Sequence, residues 1–491
     1  MTTAARYPAR LFSALILSAV SGCAWFGDTT TQRAEIAAVP ALSRTLADAK
    51  SSASADAAWP QANWWESFNI PALNQLIETA LAGNPDFKAA AARLRQSQAM
   101  VDAQAAELYP TVEANVSFSA QRFSANSTQA KLAGENFRQL LINPLILRYH
   151  LDFWGRDQAA LEAAVGRSLA VDAELADAKL LLATSVAAGY FDLVTASEKL
   201  AIAERIVTDS EALLNLHQIR LTSGLVAEAP VLQAKMALHG ARQQVADLRA
   251  EVALQKNLLA TLAGQGPDWG RGIVPANGVP PKSLALPADL PLRLLAHRPD
   301  VTAARLRVQA AAQEIKVAET AFYPDINLIA FTGLHSVSLT DVLLQGSSLA
   351  YAVGPSIEFP LFEGGRLRAN LSYQQAAYDA AVEHYNASLL HAVQEVADAL
   401  TRWREIDSRI AEQTQSVSNA VDTKDLAISL NRNGLNDRTD LMQADLEADR
   451  QRLRISALQG RHFNVAVQLI KALGGGFNDT GNDHQKLSHA H

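Results

Sequence analysis

The chain contains a single cysteine, Cys23, and its surroundings define a chemistry. Arg6 and Arg10 precede an apolar stretch from Leu11 to Val20, and Val20-Ser21-Gly22-Cys23 follows directly. A basic region, a short apolar core and small residues mark 1–22 as a signal peptide. The Cys23 thiol is then placed for thioether lipidation followed by cleavage. An ordinary secretory signal with an incidental cysteine is the alternative. A lone thiol forms no disulfide within one subunit. Removal of 1–22 takes away two arginines and no acid, so the net charge moves from −7 to −9.

Other chemistry-bearing patterns are missing or have plainer explanations. No Gly-x-x-x-x-Gly-Lys-[Ser/Thr] loop, His-Glu-x-x-His helix or Gly-x-Ser-x-Gly elbow occurs, so the chain is not expected to be an enzyme. Gly474-Gly475-Gly476 follows a helical stretch instead of preceding one and reads as a C-terminal cap. Asp445 and Asp449 share one helix face and read as solvated acids. His484, His489 and His491 sit in a polar tail that does not hold the geometry a metal needs. No metal and no cofactor is expected beyond the lipid on Cys23.

The elements that must position these residues follow from the patterning. With 491 residues, 49% hydrophobic and 19% charged, the chain is a full-sized folded protein. No basic block or basic-aromatic interleaving is present, so nucleic acid is not an expected partner. After the first two dozen residues no uninterrupted apolar run approaches the roughly 18–20 residues of a membrane-spanning helix. Any membrane crossing must be β.

The chain also repeats itself. Asn84-Pro85-Asp86 matches Arg298-Pro299-Asp300, and Tyr109-Pro110 matches Tyr323-Pro324, at one offset of 214. Gly155-Arg156 matches Gly365-Arg366, Ser223-Gly224-Leu225 matches Asn433-Gly434-Leu435, and Gly264 matches Gly474, now at 210. Two halves share one plan. An extended arm (23–58) leads into a first repeat (59–273), a second repeat (274–477) and a polar tail (478–491).

Each half holds two segments with a period of two, near 111–123 and 143–153, then near 325–337 and 348–361. Val112, Ala114, Val116, Phe118 and Ala120 oppose Glu113, Asn115, Ser117 and Ser119. One apolar and one polar face over about ten residues suits a transmembrane strand, although a soluble sandwich gives the same alternation. Four strands cannot close a barrel, and an open edge in lipid costs several kcal/mol per unpaired group. Several chains must then share one barrel, and three give about twelve strands.

The rest is helix of unusual length. No proline occurs from Gly155 to Thr222 or from Gly365 to Asn433, which at 1.5 Å per residue is roughly 100 Å each. Val382, Leu389, Val396, Trp403, Ile410 and Val417 recur every seven residues, the mark of helices supercoiled against neighbours. Each long helix turns back at Gly224 or Gly434. Tyr109-Pro110 and Tyr323-Pro324 are seams where a helix ends and a strand begins: proline stops the helical bonding and biases its predecessor to the extended region, and tyrosine suits a membrane interface. A plain helix-to-strand turn in a soluble protein is the alternative.

These features resemble the outer membrane factor family, the TolC-like outer-membrane efflux proteins, and within it the NodT-type lipoprotein branch. The likeness is carried by Trp64-Trp65 and Phe68, Asn84-Pro85-Asp86, the two Tyr-Pro pairs and Leu151-Asp152-Phe153-Trp154-Gly155-Arg156. It continues in His297-Arg298-Pro299-Asp300, Pro360-Leu361-Phe362-Glu363-Gly364-Gly365-Arg366 and Ala472-Leu473-Gly474-Gly475-Gly476. The resemblance implies a mainly α fold with membrane β: long helical hairpins forming a periplasmic α-barrel, and four strands per chain in a trimeric twelve-stranded outer-membrane β-barrel. It implies a homotrimer in contact with outer-membrane lipid, a periplasmic adaptor (membrane fusion protein), and a proton-driven inner-membrane pump. The expected function is passive export of drugs and aromatic compounds, opened by untwisting of the second-half hairpins. Resemblance to lipoproteins lacking aspartate after the lipidated cysteine, as with Ala24 and Trp25 here, implies the outer membrane.

By the same resemblance, Ser223, Gly224, Leu225, Gly434 and Leu435 are adaptor-contacting tips, and Asp437, Arg438 and Asp440 close the periplasmic aperture. Relatives commonly carry an aspartate two residues after the second tip glycine, where this chain has Asn436, with Asp437 next. Solvated turn charges are the plainer reading of these residues. Metal-ion efflux, type I protein secretion, and a lipid-anchored periplasmic coiled-coil scaffold or adaptor are the remaining alternatives.

Overall fold

The computed structural model describes residues 33–40, 59–124, 126, 134, 136–276, 297–337 and 346–479. Cys23, His484, His489 and His491 lie outside them. The first half runs α1 (Pro71–Gly83), α2 (Pro85–Ala106), β1 (Thr111–Arg122), β2 (Asn136–His150), α3 (Arg156–Thr222) and α4 (Glu228–Leu262). The second runs α5 (Pro299–Thr320), β3 (Asp325–Ser336), β4 (Leu349–Glu358), α6 (Arg366–Arg432) and α7 (Arg438–Ala472). The repetition extends to element length: α2 and α5 have 22 residues each, β1 and β3 have 12, α3 and α6 have 67, and α4 and α7 have 35.

Local chemistry starts and stops these elements. Proline at the first helical position opens α2 and α5, where its missing N–H costs nothing. The Asn84 side chain accepts from the Phe87 N–H at 3.0 Å. At the far end α4 and α7 close on left-handed Gly264 and Gly474, whose N–H groups donate to Thr261 O (2.9 Å) and Lys471 O (2.8 Å). A Cβ on Gly264 would lie 2.4 Å from Gly83 O, and one on Gly474 would lie 1.8 Å from His297 O. Each return helix is thus pressed backbone to backbone onto the entrance of its own repeat.

The core sits where the hairpins meet these entrances. Trp64, Trp65, Phe68, Tyr190, Phe191 and Phe463 are buried together, with Phe191 stacked on Phe463 at 4.3 Å. An apolar 18-residue window within α3 has the composition of a membrane span, but 61% of it is buried in the chain. The seven-residue seam of α6 is buried from Val382 to Trp403 and only half-buried at Ile410 and Val417. Arg298, buried, ties three elements: it donates to Asp300 (2.7 Å), to Glu395 of α6 (2.8 Å) and to the Ala472 carbonyl (2.9 Å).

The four strands form one antiparallel sheet in the order β1-β2-β3-β4. β2 departs from the alternation at both ends. It begins at Asn136 because Asn143-Pro144 is a bulge, with register shifts between Glu113 and Asn115 and between Ile142 and Leu145; the proline hides seven residues that a single period would have joined. It ends at His150 because Asp152 turns to the start of α3. β4 ends at Glu358, ahead of Pro360.

Asp177 of α3 faces the Arg298 cluster. Burial, then the neighbouring Asp300, pushes its carboxyl up to about 6, against the lowering by Arg298 and Lys471, with Glu395 adding to the rise. A raised carboxylate holds a proton that the unfolded chain has released, so stability falls as pH rises from about 4 to about 6 and the cost persists above. Asp177→Asn should therefore stabilise the chain by ~1–2 kcal/mol at pH 7.5, discounting 1.36 kcal/mol per unit for partial exposure. Thermal unfolding at pH 7.5 and below 4 checks it; an equal gain at both pH values would exclude the buried charge as cause.

Candidate functional site: membrane sheet, seam and hairpin tips

The cross-strand register sorts the sheet into two faces. Asn115 pairs with Asn143, Arg148 with Ile329 and His150 with Asn327, which in turn meets Ser356. This polar face also carries Glu113, 3.8 Å from Arg148. Val116 pairs with Ile142, Phe118 with Leu140, and Leu147 with both Val112 and Ala330, opposite Val353. The apolar face is exposed along β1 and β4.

At the seam, α2 ends in N–H bonds from Glu107, Leu108 and Tyr109 to the preceding turn, and Pro110 then leads into β1. Tyr323 is stacked by Trp154 at 5.0 Å, and Trp154 Nε1 donates to the Pro324 carbonyl at 2.8 Å. His150 contacts Asp157 and lies 3.4 Å from Asp325, which Arg156 approaches at 3.5 Å. These links fasten the ends of β2 and β3 to the start of α3. His150, Asp152 and Asp157 bring three potential ligand atoms within 4.8 Å of one another. Asp152, however, spends its carboxylate on the N–H groups of Arg156 (2.6 Å), Asp157 (3.0 Å) and Gln158 (3.0 Å), so its role there is a helix cap.

The hairpin turns are the same device twice. Gly224 N–H donates to Leu221 O and Leu225 N–H to Arg220 O; Gly434 N–H donates to Asn431 O and Leu435 N–H to Leu430 O. In this motif the residue after the glycine usually packs back on the last helical turn. Here Leu225 and Leu435 are 69% and 73% exposed, while Ser223 is exposed beside them.

Behind the turns the repeats differ. Ala227 precedes α4 without a side-chain cap, whereas Asp437, 210 residues on, caps α7 by accepting from Thr439 N–H (2.6 Å) and Asp440 N–H (3.2 Å). Its other oxygen takes Arg220 Nη1 of α3 at 2.6 Å, and the same nitrogen reaches Thr439 Oγ1 at 2.8 Å. Slight desolvation would raise the Asp437 carboxyl, but the hydrogen bonds from Arg220, Asp440 and Thr439 outweigh it and hold the group below the usual carboxylate range. Arg438 and Asp440 sit on the first turn of α7, both exposed. Arg220 escapes a sequence reading because its partner is 217 residues away; the signal was the broken repeat, leucine at 430 and alanine at 227 in the matching places.

Further up, the reading of Asp445 and Asp449 as solvated acids is corrected. Asp449 is buried, gripped by Arg205 of α3 (3.3 Å) and Arg452 (2.8 Å), and Asp445 pairs with Lys424 of α6 at 2.6 Å. Their shared helix face is the one packed on α3 and α6.

The family described as "Outer membrane efflux protein" matches residues 76–265 and 290–475, one match in each repeat. The chain belongs to this family. It is 31% identical over 432 residues to the multidrug resistance outer membrane protein MdtP of Escherichia coli O6:H1, covering 86% of this chain and 88% of that one. It is 31% identical over 486 residues to the toluene efflux pump outer membrane protein TtgC of Pseudomonas putida, covering 96% of each. Among solved structures, the outer membrane protein VceC of Vibrio cholerae superposes with a TM-score of 0.78 at 32% identity, over 86% of this chain and all of that one. The outer membrane is therefore its compartment, and the apolar sheet face is the one turned to lipid.

The Arg220–Asp437 pair joins the two hairpins of an efflux protein at their tips. Because the Asp437 carboxyl is held low, the pair keeps its charge from neutral pH down past pH 5 and is lost only as pH falls through that depressed value. Planar-bilayer conductance should rise equally in Arg220→Ala and Asp437→Ala, with little more in the double variant, and Asp437→Ala and Asp440→Ala should both reduce cation preference. The parent channel should conduct alike at pH 7 and pH 5. Conductance and selectivity unmoved in all variants would exclude these residues from control of the pore.

Proposed function

We propose that this chain is the outer-membrane duct of a tripartite efflux system, a passive channel and not an enzyme. Three copies supply twelve strands to one barrel, and their hairpins enclose a conduit across the periplasm. The observation that carries the reading is the sheet itself: four strands, both edges unpaired among the described residues, each strand pair continuing into a helix of 67 residues. A periplasmic scaffold has no use for such a sheet. The exposed Leu225 and Leu435, with Ser223, Gly224 and Gly434, form the contact for a periplasmic adaptor, and Asp437, Arg438 and Asp440 line the aperture behind it. A proton-driven inner-membrane pump supplies the cargo, small toxic molecules such as drugs and aromatic compounds, in keeping with the names of MdtP and TtgC.

The arm supports a lipid on Cys23. Residues 33–40 lie along α6: Ala34 N–H donates to Asp379 Oδ1 and Ala37 N–H to Asn386 Oδ1, both at 2.9 Å, and Asn386 returns a bond to Glu35 O. From residue 33 to 40 the chain thus runs away from the sheet, and its N-terminal end is the one nearer to it. Asp379 stands about 20 Å along α6 from its start at 1.5 Å per residue, within the roughly 36–40 Å that the eleven residues back to Cys23 can span.

Two measurements test the proposal. Deletion should sensitise cells several-fold to lipophilic antibiotics and aromatic acids on a panel that includes detergents and heavy metals. The parent gene should restore resistance, whereas a Leu225→Asp/Leu435→Asp pair that still assembles in the outer membrane should not; full rescue by it would remove the tips from adaptor binding, and selective metal sensitivity would replace the cargo class. Separately, mass spectrometry should find the mature N-terminus at an acylated Cys23, and Cys23→Ser should leave the protein resistant to carbonate extraction through its sheet. An unmodified cysteine would refute the anchor.

A further inference from the structure

The apolar face of β4 is built by Leu349, Tyr351, Val353 and Ile357, all exposed. The register sets Val353 opposite Ala330 and Ile357 opposite Ile326, on the lipid-facing side. The alternation outlasts the strand. Phe359 and Leu361 continue it at the same spacing, and Phe362 follows. Leu361 and Phe362 are 87% and 90% exposed, more than any other large apolar side chain among the described residues.

The first repeat does something different at this place. Asp152 is 210 residues before Phe362, and its carboxylate satisfies three N–H groups of the first turn of α3. In the second repeat Phe362 has no carboxylate to offer, and Arg366 N–H turns to the Glu363 carbonyl at 3.0 Å. Exchanging a capping carboxylate for a phenyl ring loses hydrogen bonds and leaves apolar area in water, which is unfavourable on both counts unless the ring is out of water. Directly after it, Glu363 and Arg366 pair at 2.5 Å, a charged collar of the kind that suits a membrane boundary.

We propose that residues 359–362 are a second membrane contact, a toe that enters the periplasmic-side leaflet of the outer membrane and places Leu361 and Phe362 among phospholipid acyl chains. It extends the lipid-facing strip of β4 past the last strand residue and holds the root of α6, not that of α3, against the bilayer. The inference rests on the sheet lying in the membrane.

Spin labelling of the assembled protein in phospholipid vesicles tests it. Cys23 is the only native cysteine, so Phe362→Cys and Leu361→Cys each place one new label, with the parent chain as blank. Tyr351→Cys on β4 and Leu435→Cys at the tip are references for lipid and water. The labels at 361 and 362 should collide readily with oxygen and several-fold less with a water-soluble nickel chelate than the tip label does. Chelate access equal to that of the tip would overturn the toe, and shielding from both reagents would overturn it in favour of cover by a neighbouring copy. A Tyr351→Cys label open to the chelate would instead indict the membrane placement of the whole sheet.

Discussion

The structure depends on the two sheet edges, β1 and β4, that no strand among the described residues covers. In water such edges bond to solvent, but in hydrocarbon every unpaired N–H or C=O costs several kcal/mol. β1 has 12 residues and β4 has 10, so the cost of leaving either edge open exceeds the whole stability of an ordinary domain, ~5–15 kcal/mol. Only pairing β4 of one copy with β1 of the next removes it. Closure of the barrel then fixes the spacing of the helices beneath, because each leaves the sheet within a few residues. The exposed Leu232 and Leu254 of α4 and Leu390 and Leu426 of α6 are apolar positions on hairpins that the same closure brings side by side.

From root to tip the adhesive changes. At the root, aromatic side chains are buried together, each contributing ~1.5–3 kcal/mol, and glycines bring backbones within contact. Midway, the buried Asp449 carboxylate is held between two partly exposed arginines, so removing either leaves a buried charge short of a partner. At the tip the link is a half-exposed ion pair, Arg220 with Asp437, a class worth ~0–1 kcal/mol. The free energy needed to part the hairpins thus falls toward their ends. Tips can separate while the root stays intact, which is the mechanical requirement for an aperture that opens without dissolving the channel.

Much of this was legible in the sequence, and the failures have causes. The proline-free runs gave both long helices to within a residue, because nothing else interrupts a helix so reliably. Alternation gave the strands, but Asn143-Pro144 concealed the first half of β2, since a bulge shifts the phase and a proline mimics a boundary. Asp152 fitted the alternation and yet left the strand, because three unsatisfied N–H groups at the head of α3 compete for it more strongly than the ladder does. Asp449 fitted a solvated face; charge on a helix says nothing about which neighbour brings the counter-charge. Every miss involved a partner far along the chain or a backbone demand, and neither leaves a local period.

The repeat itself supplies the last step. Duplicated halves of equal helix length would, left identical, build a ring of six equivalent hairpins with no preferred place to open. The halves differ midway, where Asp449 answers to His239, and at both ends of the hairpins. At the tip, Asp437 replaces alanine and Arg220 replaces leucine, so the cross-link forms once per chain instead of twice. At the root, the Asp152 carboxylate caps α3, whereas α6 begins after two consecutive left-handed glycines, Gly364 and Gly365, with Phe362 in the place of that aspartate. The two hairpins are therefore held at their bases by different means, α3 by a capping carboxylate and α6 by the Arg298–Glu395 pair, and share one ion pair at their tips.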